Sequence, residues 1–467
     1  MKPACDTNGI SADPAASVAA VAPRTGWAAQ MTSARTRRLG KEFLWIGVGQ
    51  AATVLGAMVG VRILTGVLSP EAYGQLALGM TVATFVNVVL LGPLSNGATR
   101  FYAPAREAGG LNGYFAAVRA LVLRASGAVA IVAGVLCLVL LLTGHAKWIG
   151  LVLAAFCFAL LSGYNSVLNG MQNAARQRAV VALHHGLLSW GRFLLAAGLV
   201  LWLGASSGLA MTGYCAATVL VLLSQWWFFR RILKPADTSE EATGLSPGRR
   251  WQHEILSYVW PFAAWGVPAW MQLASDRWAL HAFSSMQDVG RYAVLYQLGY
   301  YPITTCTGLM VQLVSPIFFQ RAGDASDPSR LQHVYGLNRR LTMAAILLTL
   351  VAAVVAYACH GAIFRCLVAP EYRAISWMLP GMVLAGGLFA SGQFAVVSLL
   401  SGAQTHSLIL PKVAVAVFGV LLNILGAACY GMVGVVTATV IAAAVYLLWI
   451  LRLVGLQSKQ TESDRRS

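Results

Sequence analysis

Apolar runs of about 18 residues or more recur along this chain from residue 43 to residue 453, separated by short charged or Gly/Pro-containing segments. A run of that length crosses a hydrocarbon core of about 30 Å as an α-helix, since each residue adds about 1.5 Å of rise. The pattern predicts an all-α polytopic membrane protein of about twelve spans. They are placed over 43–66, 74–95, 115–143, 147–169, 180–203, 208–229, 255–283, 291–316, 338–359, 376–401, 407–429 and 431–453. Around them lie a polar tail over 1–40, a first six-helix lobe over 41–232, a linker over 233–253, a second lobe over 254–455 and a tail over 456–467.

Charge gives these spans a direction. Lys and Arg concentrate in alternate connections: the N-terminal tail, Arg100 and Arg106, Arg176 and Arg178, Arg230 to Arg250, Arg321 to Arg340, Lys412, and the tail with Arg465 and Arg466. The other connections hold Lys147, Arg291, Arg365 and Arg373. Under the positive-inside rule both termini are cytoplasmic, as expected for a multi-pass protein of a bacterial inner membrane. The N-terminal tail has no apolar stretch before a cleavage site, and Met31 offers a second translation start.

Composition agrees. Hydrophobic residues make up 58% and charged residues 10% of the 467 residues, against about 25% charged in a soluble domain. The net charge of +17 does not point to nucleic acid, because the basic residues sit between spans rather than in one patch. The cysteines form no CxxC pair and no metal-ligand spacing with His, so no metal or cofactor is expected. Cys359 and Cys366 flank one predicted outer loop, and whether they pair stays open.

The chain also repeats itself. Ser69-Pro70-Glu71-Ala72-Tyr73-Gly74 after span 1 is echoed by Ser285-Met286-Gln287-Asp288-Val289-Gly290 after span 7, and Leu168-Asn169-Gly170-Met171-Gln172 by Leu400-Ser401-Gly402-Ala403-Gln404. Six spans per repeat is an even number, so the halves enter the membrane from the same side and form parallel repeats. The groove between them is the expected path of a cargo.

Three segments carry a family resemblance: Leu68-Ser69-Pro70-Glu71-Ala72-Tyr73-Gly74; Ser275-Asp276-Arg277-Trp278 running into Val289-Gly290-Arg291-Tyr292-Ala293; and Leu421-Leu422-Asn423-Ile424-Leu425 followed by Tyr430-Gly431-Met432-Val433-Gly434. In order and spacing, over about residues 40 to 455, the chain resembles the Wzx-type flippases for lipid-linked oligosaccharides and polysaccharides. These sit in the superfamily that also contains the multidrug and toxin extruders. It departs from them at Ala427-Ala428-Cys429, where relatives commonly carry a proline. The resemblance implies a MATE-like, V-shaped pair of lobes working by alternating access without ATP hydrolysis. It also implies a polyprenyl-diphosphate-linked glycan as cargo, contact with membrane lipids, and supply of a polysaccharide polymerase for lipopolysaccharide or exopolysaccharide.

Few charged residues fall within the spans, and each such charge costs about 2.5–3.5 kcal/mol on insertion scales. Those singled out are Arg62 in span 1, Arg192 in span 5, and Asp276 with Arg277 in span 7. His185, Ser189 and Arg192 share one face of span 5, and the guanidinium fork suits a diphosphate. Gln272 lies one turn before Asp276. Gln297 and Tyr301 in span 8, with Thr304 and Gln312, suit sugar hydroxyls. All of these are expected to line the cavity, with Asp276 either an ion-coupling site or the partner of an Arg across the groove. Pro93, Pro268, Pro302 and Pro316 are expected to allow bending. Two other carriers stay open, a multidrug or cation extruder and a lipid II flippase. No paired carboxylates, nucleophile–His arrangement or phosphate loop suggests an enzyme.

Overall fold

The computed structural model describes residues 47–49, 51–231, 247–323, 327–402 and 406–466. The expected tail over 1–40, the second start at Met31 and most of the expected linker lie outside them. The described chain is helical: α1 (Gly47–Val67), α2 (Pro70–Glu107), α3 (Leu111–Leu142), α4 (Ile149–Ala174), α5 (Arg178–Leu203), α6 (Ser207–Arg230), α7 (Pro247–Phe283), α8 (Met286–Ala322), α9 (Pro328–Leu367), α10 (Leu379–Ser401), α11 (409–430) and α12 (432–466).

Among the described residues, ten stretches are long and apolar enough to span a membrane. One of them, Leu410–Ser463, turns at Gly431, whose φ of 57° and ψ of −135° favour glycine, and so supplies α11 and α12. The remaining span is α7, which is too polar to qualify on hydropathy because it carries Gln272, Ser275, Asp276, Arg277 and His281. Twelve helices therefore stand as expected, in a multi-pass membrane protein. Their ends reach beyond the predicted spans, with α2 running to Glu107 rather than 95 and α7 beginning at Pro247 rather than 255. Hydropathy marks only the part of a helix inside lipid. The extra turn-lengths are held by packing: Trp251 and Ile255 of α7 are buried, and Trp251 meets the rings of Phe101 and Tyr114 at 6.3 Å each.

The first sequence repeat is a structural repeat as well. Ser69 caps α2 by accepting a hydrogen bond from the Ala72 amide (3.3 Å), with Pro70 and Glu71 in the first turn. Ser285 caps α8 by accepting from the Asp288 amide (3.2 Å). In both places a short polar side chain satisfies an amide that the helix start leaves free.

Both helices then bend. In α2, the Gly92 amide bonds to the Asn87 carbonyl, one residue further back than in a regular α-helix, just before Pro93. The Asn87 side chain holds the widened turn by donating to the Ala83 carbonyl (2.9 Å) and to Ser162 Oγ on α4 (2.8 Å). In α8 the helix is interrupted at Tyr300, two residues before Pro302.

The end of the molecule that holds the α1–α2, α7–α8 and α9–α10 turns is called distal. There the two halves are joined by Tyr372 Oη donating to the Leu68 carbonyl (2.8 Å) and by the Ala369 amide donating to Thr65 Oγ1 (3.2 Å).

Candidate functional site

Between the halves lies a cavity of about 340 Å³, at the small end of the usual range for ligand pockets, about 300–1,000 Å³. Helix α2 supplies Tyr73, Thr81 and Thr84, α5 supplies Arg192, α6 Tyr214, α7 Trp270 and Arg277, and α8 Tyr296, Gln297 and Tyr301. The α2 and α8 members lie on the stretches that run from the caps to the bends, with Tyr301 just past the second bend. The repeated cap-and-bend pattern thus builds opposite walls of one chamber.

The chamber's charge is one-sided. Its lining contains two arginines and no carboxylate. The Arg192 guanidinium carbon stands 4.6 Å from the Phe193 ring centroid and 5.9 Å from that of Tyr214, within the range at which a ring face attracts a cation. Its Nε is buried and has no hydrogen-bond partner. A buried donor left open this way has lost its water without a replacement.

Arg277 enters from the other half. Its guanidinium carbon lies 4.6 Å from the Tyr296 centroid, and Nη1 donates to the Leu273 carbonyl (3.0 Å). Arg277 also hydrogen-bonds the Tyr296 side chain and lines the cavity.

Asp276 points elsewhere. Its Oδ2 accepts from Tyr292 Oη (2.8 Å), its Oδ1 accepts from the Arg277 amide (2.7 Å), and it is buried. Arg277 Nη1 stands 3.5 Å from the same Oδ1. The carboxylate therefore sits behind Arg277, tied to α8, and does not line the cavity. The neighbouring Ser275 accepts from Asn423 of α11 (2.9 Å), which fixes this stretch of α7 from the outer side.

The cavity brings together Arg192, Arg277, Gln297 and Tyr301 of the residues expected there, and leaves out the others. Arg62 donates through Nη1 to the Val368 carbonyl (2.8 Å), so it neither meets Asp276 nor enters the cavity. Ser189 donates to the Thr53 carbonyl (2.9 Å) and joins α5 to α1. His185 is hydrogen-bonded to Asn169 (3.2 Å) inside the first half. Gln272 lies outside the lining. Along the polar stripe of α5, Ser189 is buried, Arg192 half-buried and His185 exposed, and the three serve different neighbours because they stand at different heights along the helix.

Sequence reasoning missed the aromatic walls: Tyr73, Tyr214, Trp270 and Tyr296. One signal was available, the spacing of Tyr292, Tyr296 and Tyr300 at successive turns of α8. Tyr296 and Tyr300 stack with centroids 4.8 Å apart. Trp270 is fixed by donating to the Thr81 carbonyl (2.8 Å), a contact between elements that no local pattern announces.

Cys359 and Cys366 lie on the single helix α9 and are free. Seven residues of helix separate their Cα atoms by about 10 Å, beyond the reach of a disulfide. They do not flank a loop, because α9 extends further than its apolar run.

The fold matches solved transporters closely in architecture and distantly in sequence. It is similar to the lipid II flippase MurJ in an inward closed conformation, with a TM-score of 0.67, 13% identity, and 88% of this chain and 87% of that one covered. It is also similar to an inward-facing multidrug resistance MATE family transporter of the MOP superfamily (TM-score 0.61, 14% identity, 88% and 96% covered). A third similar structure is a MOP superfamily transporter from Pyrococcus furiosus, described as having a binding pocket of reverse polarity (TM-score 0.59, 15% identity, 88% and 94% covered). No curated protein matches the chain. The fold is thus the two-lobed, twelve-helix architecture expected, and the model of one sequence family covers residues 39–321, more than half of the chain. By that match this membrane protein belongs to the polysaccharide biosynthesis protein family.

Proposed function

We propose that the protein is a flippase that carries a polyprenyl-diphosphate-linked oligosaccharide across the bacterial inner membrane, from the cytoplasmic to the periplasmic leaflet. The single observation that carries this reading is the pair Arg192 and Arg277. Two guanidinium groups, one from each half, enter one chamber without a carboxylate among its lining residues, and the Nε of one is buried and unpaired. A diphosphate satisfies such a pair better than any neutral or cationic ligand, because its oxygens accept from the planar forks of both arginines. Gln297 and Tyr301 stand ready for sugar hydroxyls, and the Trp270 ring gives a flat apolar surface for a pyranose. Asp276 acts behind this site, orienting Arg277.

Alternating access supplies the movement, with the bends at Asn87–Gly92 and at Tyr300 as flexing points. With the basic connections cytoplasmic, the distal contacts close the periplasmic end, and the cargo feeds a polymerase that builds lipopolysaccharide or exopolysaccharide. A cation extruder is disfavoured, since a positively charged chamber repels its cargo. A lipid II flippase would use the same diphosphate chemistry and differs only in the glycan.

The test is translocation of a fluorescent polyprenyl-diphosphate oligosaccharide in proteoliposomes, beside empty vesicles, lipid II and an organic cation. Movement that depends on the protein and falls at least tenfold in Arg192→Ala and Arg277→Ala supports the reading. Cation uptake without glycolipid movement overturns it.

A further inference from the structure

A second polar cluster lies away from the cavity, where α4, α5 and α6 meet inside the first half. Four buried side-chain amides form a closed chain of hydrogen bonds. Asn169 Nδ2 donates to Asn165 Oδ1 (2.9 Å), and Asn165 Nδ2 donates to Gln225 Oε1 (2.8 Å). Gln225 Nε2 donates to Asn169 Oδ1 (2.6 Å) and to Gln172 Oε1 (2.9 Å), and Gln172 Nε2 reaches the Gln225 carbonyl at 3.5 Å. The chain ends on His185, whose Nε2 is 3.2 Å from Asn169 Nδ2. An amide nitrogen only donates, so Nε2 is the acceptor, and the imidazole in this arrangement is neutral with its proton on Nδ1.

The same heavy-atom positions allow one other self-consistent arrangement. If every amide turns by 180°, exchanging its oxygen and nitrogen, each donor becomes an acceptor around the whole chain. Asn169 then presents Oδ1 to Nε2, which must carry a proton. Asn165 donates to Asn169, Gln225 donates to Asn165, and Asn169 and Gln172 both donate to Gln225 Oε1. A single contact is forfeited, that of Gln172 with the Gln225 backbone carbonyl, which is the longest of the set. A cluster with two nearly equivalent hydrogen-bond states is the kind of bistable element that one proton can bias.

We propose that His185 and the Asn165–Asn169–Gln172–Gln225 amides form a proton-binding site in the first half, separate from the cargo cavity. Uptake of a proton at Nε2 reverses the amide chain and releases Gln172 of α4 from the backbone of α6. His185 is exposed and stands about two turns from the start of α5 at Arg178. The titratable group beside it is His184, which turns to the Val180 carbonyl and Ser224 (2.7 and 3.1 Å). From α4 and α6 it is faced by the neutral amides and Ser224. The α1 residues that touch α5, among them Gly49, Ala52, Thr53, Gly56 and Gly60, are uncharged. Arg178 and Arg192 each lie about 10 Å away along α5. Arg192 is one of the two cavity arginines, so a charge gained at His185 sits on the helix that carries it.

The experiment uses the full-length protein in lipid nanodiscs, labelled with 15N at histidine and at side-chain amides, and follows NMR signals against pH. The His185 signal is identified by its loss in His185→Gln, which keeps an acceptor at the same place but cannot titrate. The expected result is an unprotonated Nε2 at high pH, together with Asn165, Asn169 and Gln225 side-chain amide signals that shift with the same midpoint as His185. In His185→Gln those shifts disappear. A neutral His185 with its proton on Nε2, or amide signals that ignore the His185 titration, overturns the proposal. If the variant does not fold, the wild-type titration decides alone, with signals assigned through Asn169→Asp.

Discussion

Gly74 and Gly290, 216 residues apart in the chain, meet reciprocally at the distal end. A methyl group on Gly74 would strike the carbonyl of Met286, and one on Gly290 would strike the carbonyl of Pro70. Pro70 and Met286 are themselves equivalents at the same offset, so the contact has the form of a two-fold interface in which each partner makes the other's interaction. Helix packing in lipid relies on such close approach of small residues, because apolar side chains gain little there by leaving one another's company for lipid tails.

Gly74→Val should therefore force the distal ends of α2 and α8 apart, since a backbone carbonyl cannot step aside as a side chain can. Spin labels on Glu71→Cys and Gln287→Cys, equivalent exposed positions beside the contact, should report a longer mean distance in the variant. An unchanged distance distribution would count against this contact as the closure.

Arg192→Ala should weaken binding of a short polyprenyl diphosphate by roughly 10–100-fold, the equivalent of losing a charge-assisted hydrogen bond of about 1.5–3 kcal/mol. Arg192→Lys should recover only part of it, because an ammonium lacks the planar fork. Calorimetric titration in detergent measures both, and equal affinity in Ala and wild type would remove Arg192 from the binding site.

Arg62→Ala should behave differently. It loses a bond to the Val368 carbonyl and should lower thermal stability while leaving diphosphate affinity within about twofold, since the side chain lies outside the cavity. A large loss of affinity at unchanged stability would restore the expectation that Arg62 touches the cargo.

Tyr292→Phe removes the hydroxyl that donates to buried Asp276. Leaving that carboxylate oxygen unpaired should cost about 1–3 kcal/mol, visible as a lower unfolding temperature. Asp276→Asn in the same background should restore part of the loss, because a neutral amide tolerates burial better than an unpaired charge.

Cys359 and Cys366 should both react with a thiol reagent under non-reducing conditions, so that peptide mapping finds a label on each of them; Cys157, Cys306 and Cys429, also free and exposed, label as well. Peptides joined through these two residues would contradict the continuous helix.

The twelve spans, the two repeats and the family were legible in the sequence because each rests on local or periodic information. Apolar length fixes a span, a Ser followed by Pro70 and Glu71 starts a helix, and a recurring motif declares a second copy. The fork of Arg192 and the position of Arg277 were also visible, since a cation within an apolar run requires a reason in any fold. Which partner each polar residue takes was not visible. Arg62, Ser189 and Arg192 look alike on a helical wheel, and only the neighbours brought up by tertiary packing separate them. For Arg62 that neighbour is Val368, 306 residues away, and for Ser189 it is Thr53, 136 residues away. The cavity walls follow the same rule, with Trp270 held by Thr81 of the other half. The sequence by itself determined that the chain crosses a membrane as two related sets of helices bearing internal cations. Tertiary structure decided which of those cations face the cavity and which close the helix contacts, because that choice depends on contacts between distant segments that no local pattern encodes.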